Sequence, residues 1–353
     1  MSASSYAARR QRLEPLFESA RSLRDAHSER GQAARERLLR SSGLSPEGLD
    51  FALNRCLESA PDEAEIEALI RATPEARRAH VLLSAHVFVA AHRAIAIGLA
   101  ASESVQVRAS RREPEMAELL LEGAPSAFTL VPELSPRSGD HVWAYGSDET
   151  LNTVKQALPL GVVFHRHGTG FGIAVIGGQP PSDALSALLA ALAEDIALFD
   201  QRGCLSPRVL LVDAGPEFAH EVALELAAQL GELEQRVPRG RMDAAEAAEI
   251  TTFCDSASYF GDVYPAGLGF VSSADSSAWL MPPVGRNLHV LPTRNVKASI
   301  AKLAHLVTSC AYAGDAELRA SLEEALPGAR LCRFGELQSP PFDGPVDRRH
   351  LAP

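Results

Sequence analysis

From residue 81 onward the chain alternates strand-length apolar runs with helix-length segments, and that rhythm restricts the fold more than any other feature. Strand-like runs are SVQVR at 104–108, FTLV at 128–131, HVWAY at 141–145, VVFH at 162–165, IAVI at 173–176 and RVLLVD at 208–213. Between them lie PEMAELLLE at 114–122, entered through a proline, and 148–158, with Asp148 and Glu149 where a helix dipole favours anions. A longer helical segment covers 182–199. Strands joined by helices predict an α/β fold with a largely parallel sheet. Sites in such sheets are expected at the carboxyl ends of the strands. Further on, the pattern predicts helices over 216–234 and 244–256, and a glycine-rich segment with Gly261, Gly267, Gly269 and Gly285. It then predicts a strand over 288–292, a helix over 296–312, one short strand beyond Pro327 and a proline-rich tail from Pro340.

The first 80 residues read as helices. Arg9, Arg10, Arg12, Arg21, Arg24, Arg30, Arg35, Arg37 and Arg40 alternate with Glu14, Glu18, Asp25, Glu29 and Glu36, with no β-branched run. Ser45-Pro46-Glu47 opens a further helix, serine at N-cap and proline at N1. The arginines read as a salt-laced face or as a docking surface for an acidic partner. The apolar stretch 81–101 is interrupted by Ser84, His86, His92 and Arg93. It falls short of the ~20 clean residues of a membrane span and reads as a core element. The N-terminus has no apolar signal region.

The 353 residues allow two or three domains. A net charge of −11 argues against nucleic-acid binding through a globally basic surface. Five cysteines without CxxC spacing disfavour both a disulfide framework and a zinc site, so no metal is expected. These features fit the reducing cytoplasm.

Cys204 stands out among the five. It lies between a helix and a strand in Gly203-Cys204-Leu205-Ser206-Pro207. The glycine permits close approach, the proline stiffens the exit, and Arg202 is near enough in sequence to favour the nucleophilic thiolate. Cys56, Cys254 and Cys310 fall within helical patterns and read as core residues. His165 and His167 share a strand face, but without an acidic or cysteine partner they read as cleft-lining or loop-bonding residues.

The segment DIALFDQRGCLSP resembles the nucleophile region of the LuxC-type acyl-CoA reductases, typified by the fatty acyl reductase of bacterial bioluminescence, a branch of the aldehyde dehydrogenase superfamily. LHVLPTRN and RLCRFGELQSPPFDGPVD resemble the same family. SVQVRASRREP and HVWAYGSDETL resemble the superfamily's adenosine-ribose strand and its Gly-Ser turn. The likeness runs from about residue 79 to 347.

It implies an aldehyde dehydrogenase-like α/β fold, with a Rossmann-type parallel-sheet cofactor domain and an α/β catalytic domain. The implied division is an N-terminal helical region (1–78), an NAD(P)-binding domain (79–185), a catalytic domain (186–335) and a tail (336–353). The implied activity is NADPH-dependent reduction of an acyl thioester, carried by coenzyme A or an acyl carrier protein, to an aldehyde through acyl-Cys204. NADH remains possible as the cofactor. His86 takes the place of the superfamily's oxyanion asparagine; a histidine can donate an N–H there, or simply pack beside the loop. Arg108, Ser110, Arg111, Gly146, Ser147, Gly168 and Gly170 take cofactor-binding positions, and Arg112 adds a third cation for a 2′-phosphate. HRHGTGFG lacks the carboxylate that activates water in the oxidising members. The alternatives are an oxidative aldehyde dehydrogenase and a non-catalytic scaffold relative. A homo-oligomer is expected, and no nucleic-acid or membrane-spanning role.

Overall fold

The computed structural model describes residues 2–275 and 279–349. The elements in chain order are α1 (Ala3–Arg24), α2 (Glu29–Ser42), α3 (Pro46–Cys56), α4 (Glu63–Ala72), β1 (Ala79–Leu82), α5 (Ala90–Ala101), β2 (Val105–Arg108) and α6 (Glu115–Gly123). They continue with β3 (Thr129–Leu130), β4 (His141–Tyr145), α7 (Asp148–Ala157), β5 (Val163–His167), β6 (Phe171–Gly177), α8 (Ser182–Ala197), β7 (Pro207–Asp213) and α9 (Pro216–Arg236). The last are α10 (Ala244–Ala257), β8 (Gly261–Ala266), β9 (Gly269–Ala274), β10 (Asn287–Pro292), α11 (Val296–Ile300), β11 (Val307–Ala313), α12 (Ala316–Ala325) and β12 (Arg330–Cys332).

The chain forms two compact units, the first comprising Met1–Ser42, Ala52–Thr169 and Pro341–Val346. Its sheet has the order β3-β2-β1-β4-β5, with every pair parallel. That is the doubly wound arrangement, with its switch point between β1 and β4. Helix α5 is buried from Ala91 to Ala101 because it lies between the sheet and α1. Leu13, Leu16, Phe17, Ala20 and Leu23 of α1 join that core, each apolar side chain contributing roughly 1.5–3 kcal/mol for the larger residues.

Most of the N-terminal arginines are staples within this unit. Arg9 donates to the carbonyls of Ala100 and Thr73 (both 2.6 Å), and Arg30 to that of Leu119 (2.6 Å). Arg37 reaches Glu115 (2.5 Å), Glu118 (2.7 Å) and Glu122 (2.6 Å) on α6. The tail returns here too: Phe342 packs against Phe17 (5.6 Å) and His92 (5.5 Å), with the Arg93 guanidinium 5.1 Å above its ring.

The second unit comprises Gly43–Phe51, Gly170–Pro340 and Asp347 onward. Its sheet has the order β12-β11-β6-β7-β10-β9-β8, parallel except for the β8–β9 hairpin. Apolar layers cover both faces: α8 and α9 on one side, α11 and α12 on the other. β10 is buried along its whole length, as strands of a covered parallel sheet are.

One expectation is corrected. The helix expected over 296–312 is α11 followed by β11: VTSCA at 307–311 is fully buried, and a continuous apolar run gives no periodicity to separate strand from helix. The glycine-rich segment holds the β8–β9 hairpin, turned at Gly267 with φ +64°. The compact units are cut at other points than the expected domain limits. β6 pairs with β7 and β11 and so belongs to the second unit, α1 packs on α5 and α6 rather than standing apart, and the tail divides between the units. Helix α12 was not anticipated. The helix opening at Pro46 is present, with Ser45 Oγ accepting from Gly48 N at 3.0 Å.

Candidate active site

The carboxyl ends of the first sheet gather most of the expected cofactor residues. His86 follows β1, Arg108 ends β2, Ser110 and Arg111 follow it, Gly146 and Ser147 follow β4, and Gly168 follows β5. His86 is exposed, with φ +82°, a left-handed conformation in which asparagine, aspartate and histidine are enriched. A histidine therefore fits the backbone that the loop after β1 requires.

Arg108 is half-buried, and Arg111 and Arg112 are exposed. Among the described residues none of the three side chains has an ion pair or hydrogen bond, unlike Arg9, Arg30 and Arg37. Ser110 Oγ accepts from Arg112 N (3.2 Å), which shapes the turn that carries them.

The glycines divide. A Cβ at Gly146 would meet only Thr150, at 3.7 Å, so nothing in the chain demands glycine there and the space above it is open. A Cβ at Gly168 would lie 2.3 Å from Asp148 Oδ1, and one at Gly170 would lie 2.4 Å from Thr308 Cγ2. Those two glycines are accounted for by packing, and Gly170 belongs to the second unit. Ser147 is the N-cap of α7, its Oγ accepting from Thr150 N at 3.3 Å. Asp148 in the first turn is paired with Arg166 (2.6 Å), which holds its carboxyl below the usual range.

Beyond Gly146 the two expected histidines stack on aromatic rings, His165 on Trp143 (4.4 Å between centroids) and His167 on Tyr145 (4.5 Å). Burial, with His141 and His167 adding to it, pushes His165 down to about 4. It is neutral at physiological pH.

Cys204 lies in the second unit, exposed on the loop between α8 and β7. This is the amino end of the strands, opposite to the carboxyl-end expectation. The loop is tightly bonded. Gly203 O accepts from Ser206 N (3.1 Å), Cys204 O from Thr308 Oγ1, Leu205 O from Ser309 Oγ (3.3 Å) and Ser206 O from Gly172 N (2.9 Å). Gly172 must be glycine, since a Cβ would fall 2.3 Å from Leu205 O. Ser206 Oγ accepts from Gly203 N (3.3 Å) and from Gln338 Nε2 (2.9 Å), and Gly335 N donates to Asp195 of α8 (2.7 Å). The GELQ tail is thus fastened to the GCLSP loop. In contrast, the backbone N–H groups of Cys204 and Leu205 reach no acceptor oxygen among the described residues.

Although Cys204 touches solvent, surrounding protein desolvates its sulfur and pushes the thiol up to about 11. The Asp347 carboxylate adds to this rise, while Arg349 and the cysteine's own N–H oppose it. Asp347 and Arg349 are paired at 2.8 Å. Arg202 does not serve the thiolate: it is bonded to Glu246 (2.9 Å) and lies 3.5 Å from Asp200. The sequence reading missed Asp200, Gln201, Arg286, Thr308, Asp347 and Arg349. Asp200, Gln201, Asp347 and Gln338 lay within motifs that drew notice, but no role was read for any of them.

The fold is that of the aldehyde dehydrogenases. The chain is similar to an NAD-dependent benzaldehyde dehydrogenase from Corynebacterium glutamicum at 15% identity, covering 95% of this chain and 84% of that one, TM-score 0.66. An oxidoreductase from Marinobacter aquaeolei aligns at 11% identity over 98% and 84% of the two chains, TM-score 0.71. A salicylaldehyde dehydrogenase from Pseudomonas putida G7, complexed with salicylaldehyde, aligns at 14% over 94% and 79%, TM-score 0.67. A search of curated proteins finds no match. The sequence profile of the acyl-CoA reductase (LuxC) family matches residues 125–345, and the chain belongs to that family. Its chemistry is that of a nicotinamide-dependent oxidoreductase of the aldehyde type.

Proposed function

We propose that this protein reduces an acyl thioester, carried by coenzyme A or an acyl carrier protein, to an aldehyde with NADPH, through an acyl group on Cys204. The observation that carries the proposal is the Cys204 loop: an exposed cysteine, carbonyls all bonded, and N–H groups of Cys204 and Leu205 that reach no acceptor oxygen among the described residues. Such a loop offers a nucleophile beside fixed donors for a developing oxyanion.

In the first step Cys204 gives up its proton to solvent and the thiolate attacks the thioester carbonyl. The N–H groups of Cys204 and Leu205 are suited to hold the resulting oxyanion. The carbonyl re-forms, the carrier thiolate leaves and takes a proton, and the acyl group stays on sulfur. A nicotinamide cofactor, when bound, supplies the hydride that turns this thioester into a thiohemiacetal. Collapse of the thiohemiacetal returns the Cys204 thiolate and releases the aldehyde.

The residues fit such a cofactor. Arg108, Arg111 and Arg112 are free to meet a 2′-phosphate, which favours NADPH over NADH. The open space at Gly146 and the N-terminus of α7 suit a pyrophosphate. In this reading His86, exposed on the loop after β1, holds the place of the superfamily's asparagine. The carboxylate that does reach the loop after β5, Asp148, is spent on Arg166 and is a weak base. This favours reduction over the hydrolysis of acyl-Cys204 that oxidative members need.

The test supplies long-chain acyl-CoA with NADPH and follows NADPH loss, aldehyde and free thiol. Equal amounts of all three support the proposal. NAD-dependent oxidation of aldehydes to acids, with no thioester reduction, contradicts it.

A further inference from the structure

The chain enters the cysteine loop through a backbone that its side chains disfavour. Phe199, Asp200 and Gln201 have φ of +55°, +47° and +67°, three successive non-glycine residues in the left-handed region. All three are buried. Strain of this kind costs of order 1–3 kcal/mol per residue and persists only where surrounding contacts over-determine it. The contacts are present. Asp200 Oδ1 accepts from Arg286 Nε (3.0 Å) and its Oδ2 from Gly240 N (3.0 Å). Asp200 O accepts from Gly285 N (3.1 Å). Arg286, itself buried, also reaches Glu234 (2.9 Å) and the carbonyl of Val237 (2.6 Å).

Gln201 makes the most telling set of bonds. Its Nε2 donates to Pro207 O (2.7 Å) and to Asn287 O, and its Oε1 accepts from Asn287 N (2.8 Å). Residue 201 begins the cysteine loop, and Pro207 begins β7 at its other end. One side chain therefore closes the loop on itself and pins both ends to β10. A glutamine is suited to this, because its amide donates and accepts at once.

We propose that Gln201 is a positioning residue for the nucleophile: its clip across residues 201–207 fixes where the Cys204 sulfur and the N–H groups of Cys204 and Leu205 stand relative to one another. This rests on the acyl-Cys204 reading. The left-handed turn supplies the direction of entry, the Asp200–Arg286 pair holds the turn, and the Gln201 amide sets the loop's span. A displacement of about 1 Å at such a point costs on the order of 10²-fold in rate.

The test uses Gln201→Met, of similar length with no hydrogen bonds, and Gln201→Glu, which keeps the acceptor for Asn287 N but loses both donations. Three measurements are made on the full-length protein: thermal melting, the rate of acylation by long-chain acyl-CoA with its KM-against-kcat split, and amide hydrogen exchange at residues 203–206. We expect folded variants whose acylation kcat falls by about 10²-fold with KM nearly unchanged, Gln201→Glu falling less than Gln201→Met, and exchange at 203–206 quickened. Where Gln201→Met fails to fold, Gln201→Glu decides by the same criteria. Acylation within about threefold of wild type in a folded variant overturns the proposal, as does a loss of rate that only tracks the folded fraction. If the wild type itself forms no adduct, the reductase reading falls, and exchange alone decides the clip: unchanged exchange at 203–206 overturns it, and quickened exchange supports it.

Discussion

The mouth of the first sheet and the cysteine loop of the second unit are built on opposite plans. At the mouth, the side chains of Arg108, Arg111 and Arg112 have no partners among the described residues, and a side chain at Gly146 would meet only Thr150. In the loop every carbonyl from Gly203 to Ser206 is bonded, and Gln201, Gln338 and Asp200 tie its ends to three other segments. Unpaired cations cost little while they face water, so a mouth can wait for a ligand that supplies the missing charge. A nucleophile gains from the reverse, since geometry fixed beforehand need not be ordered during reaction. Arg9, Arg30 and Arg37 of the N-terminal helices are, in contrast, bonded to carbonyls and carboxylates of the first unit.

Four tests follow in decreasing order of effect, the first three pressing on this contrast. Cys204→Ala should abolish the acyl adduct and lower aldehyde formation by at least ~10³-fold, while NADPH binding measured by calorimetry stays unchanged. Residual adduct on another cysteine would remove the loop from the account. Arg108→Ala combined with Arg111→Ala should weaken NADPH binding by roughly 10- to 100-fold and NADH binding much less. Equal losses for both cofactors would mean that the arginines do not read a 2′-phosphate.

The third change tests the electrostatics of the loop. The Cys204 thiol sits at about 11, raised by burial and then by Asp347. Alkylation of Cys204 should therefore climb with pH through the neutral and mildly alkaline range. Asp347→Asn removes a negative charge, lowers the thiol pKa and should speed alkylation near pH 8 by roughly 3- to 10-fold; Arg349→Gln should slow it. A pH profile unchanged by both would sever the pair from the thiol.

The smallest effect belongs to a residue of neither region. His92 is fully buried, its ring nitrogens have no hydrogen-bond partner among the described residues, and burial pushes it down to about 3. Its folded value lies below the unfolded 6.5, so the unfolded chain binds the extra proton between the two. Stability is complete above about pH 6.5 and falls as the pH drops toward 3, by a few kcal/mol. His92→Leu should flatten this acid limb in melting curves without altering activity at neutral pH. An unchanged limb would refute the assignment.

Much of the fold was legible because strands such as RVLLVD and HVWAY are bounded by turn residues and helix caps. β11 was not, since VTSCA is buried on both faces and carries no period, and the β8–β9 hairpin was hidden among glycines. Cys204 was legible through its motif. Its supports were not: Arg286 lies 86 residues from Asp200, and Gln338 lies 132 from Ser206. Pairings of that span are set by sheet order rather than by local pattern. Arg202, close to Cys204 in sequence, was misleading for the same reason, because its charge is spent on Glu246.

The account turns on whether Cys204 carries the acyl group. Incubating the protein with long-chain acyl-CoA in the absence of NADPH, followed by mass spectrometry of the digested chain, measures this directly. The account predicts a thioester on the peptide containing Cys204 that disappears, with release of aldehyde, when NADPH is added. An unmodified Cys204 peptide while thioester is consumed, or an adduct that NADPH does not discharge, would contradict it.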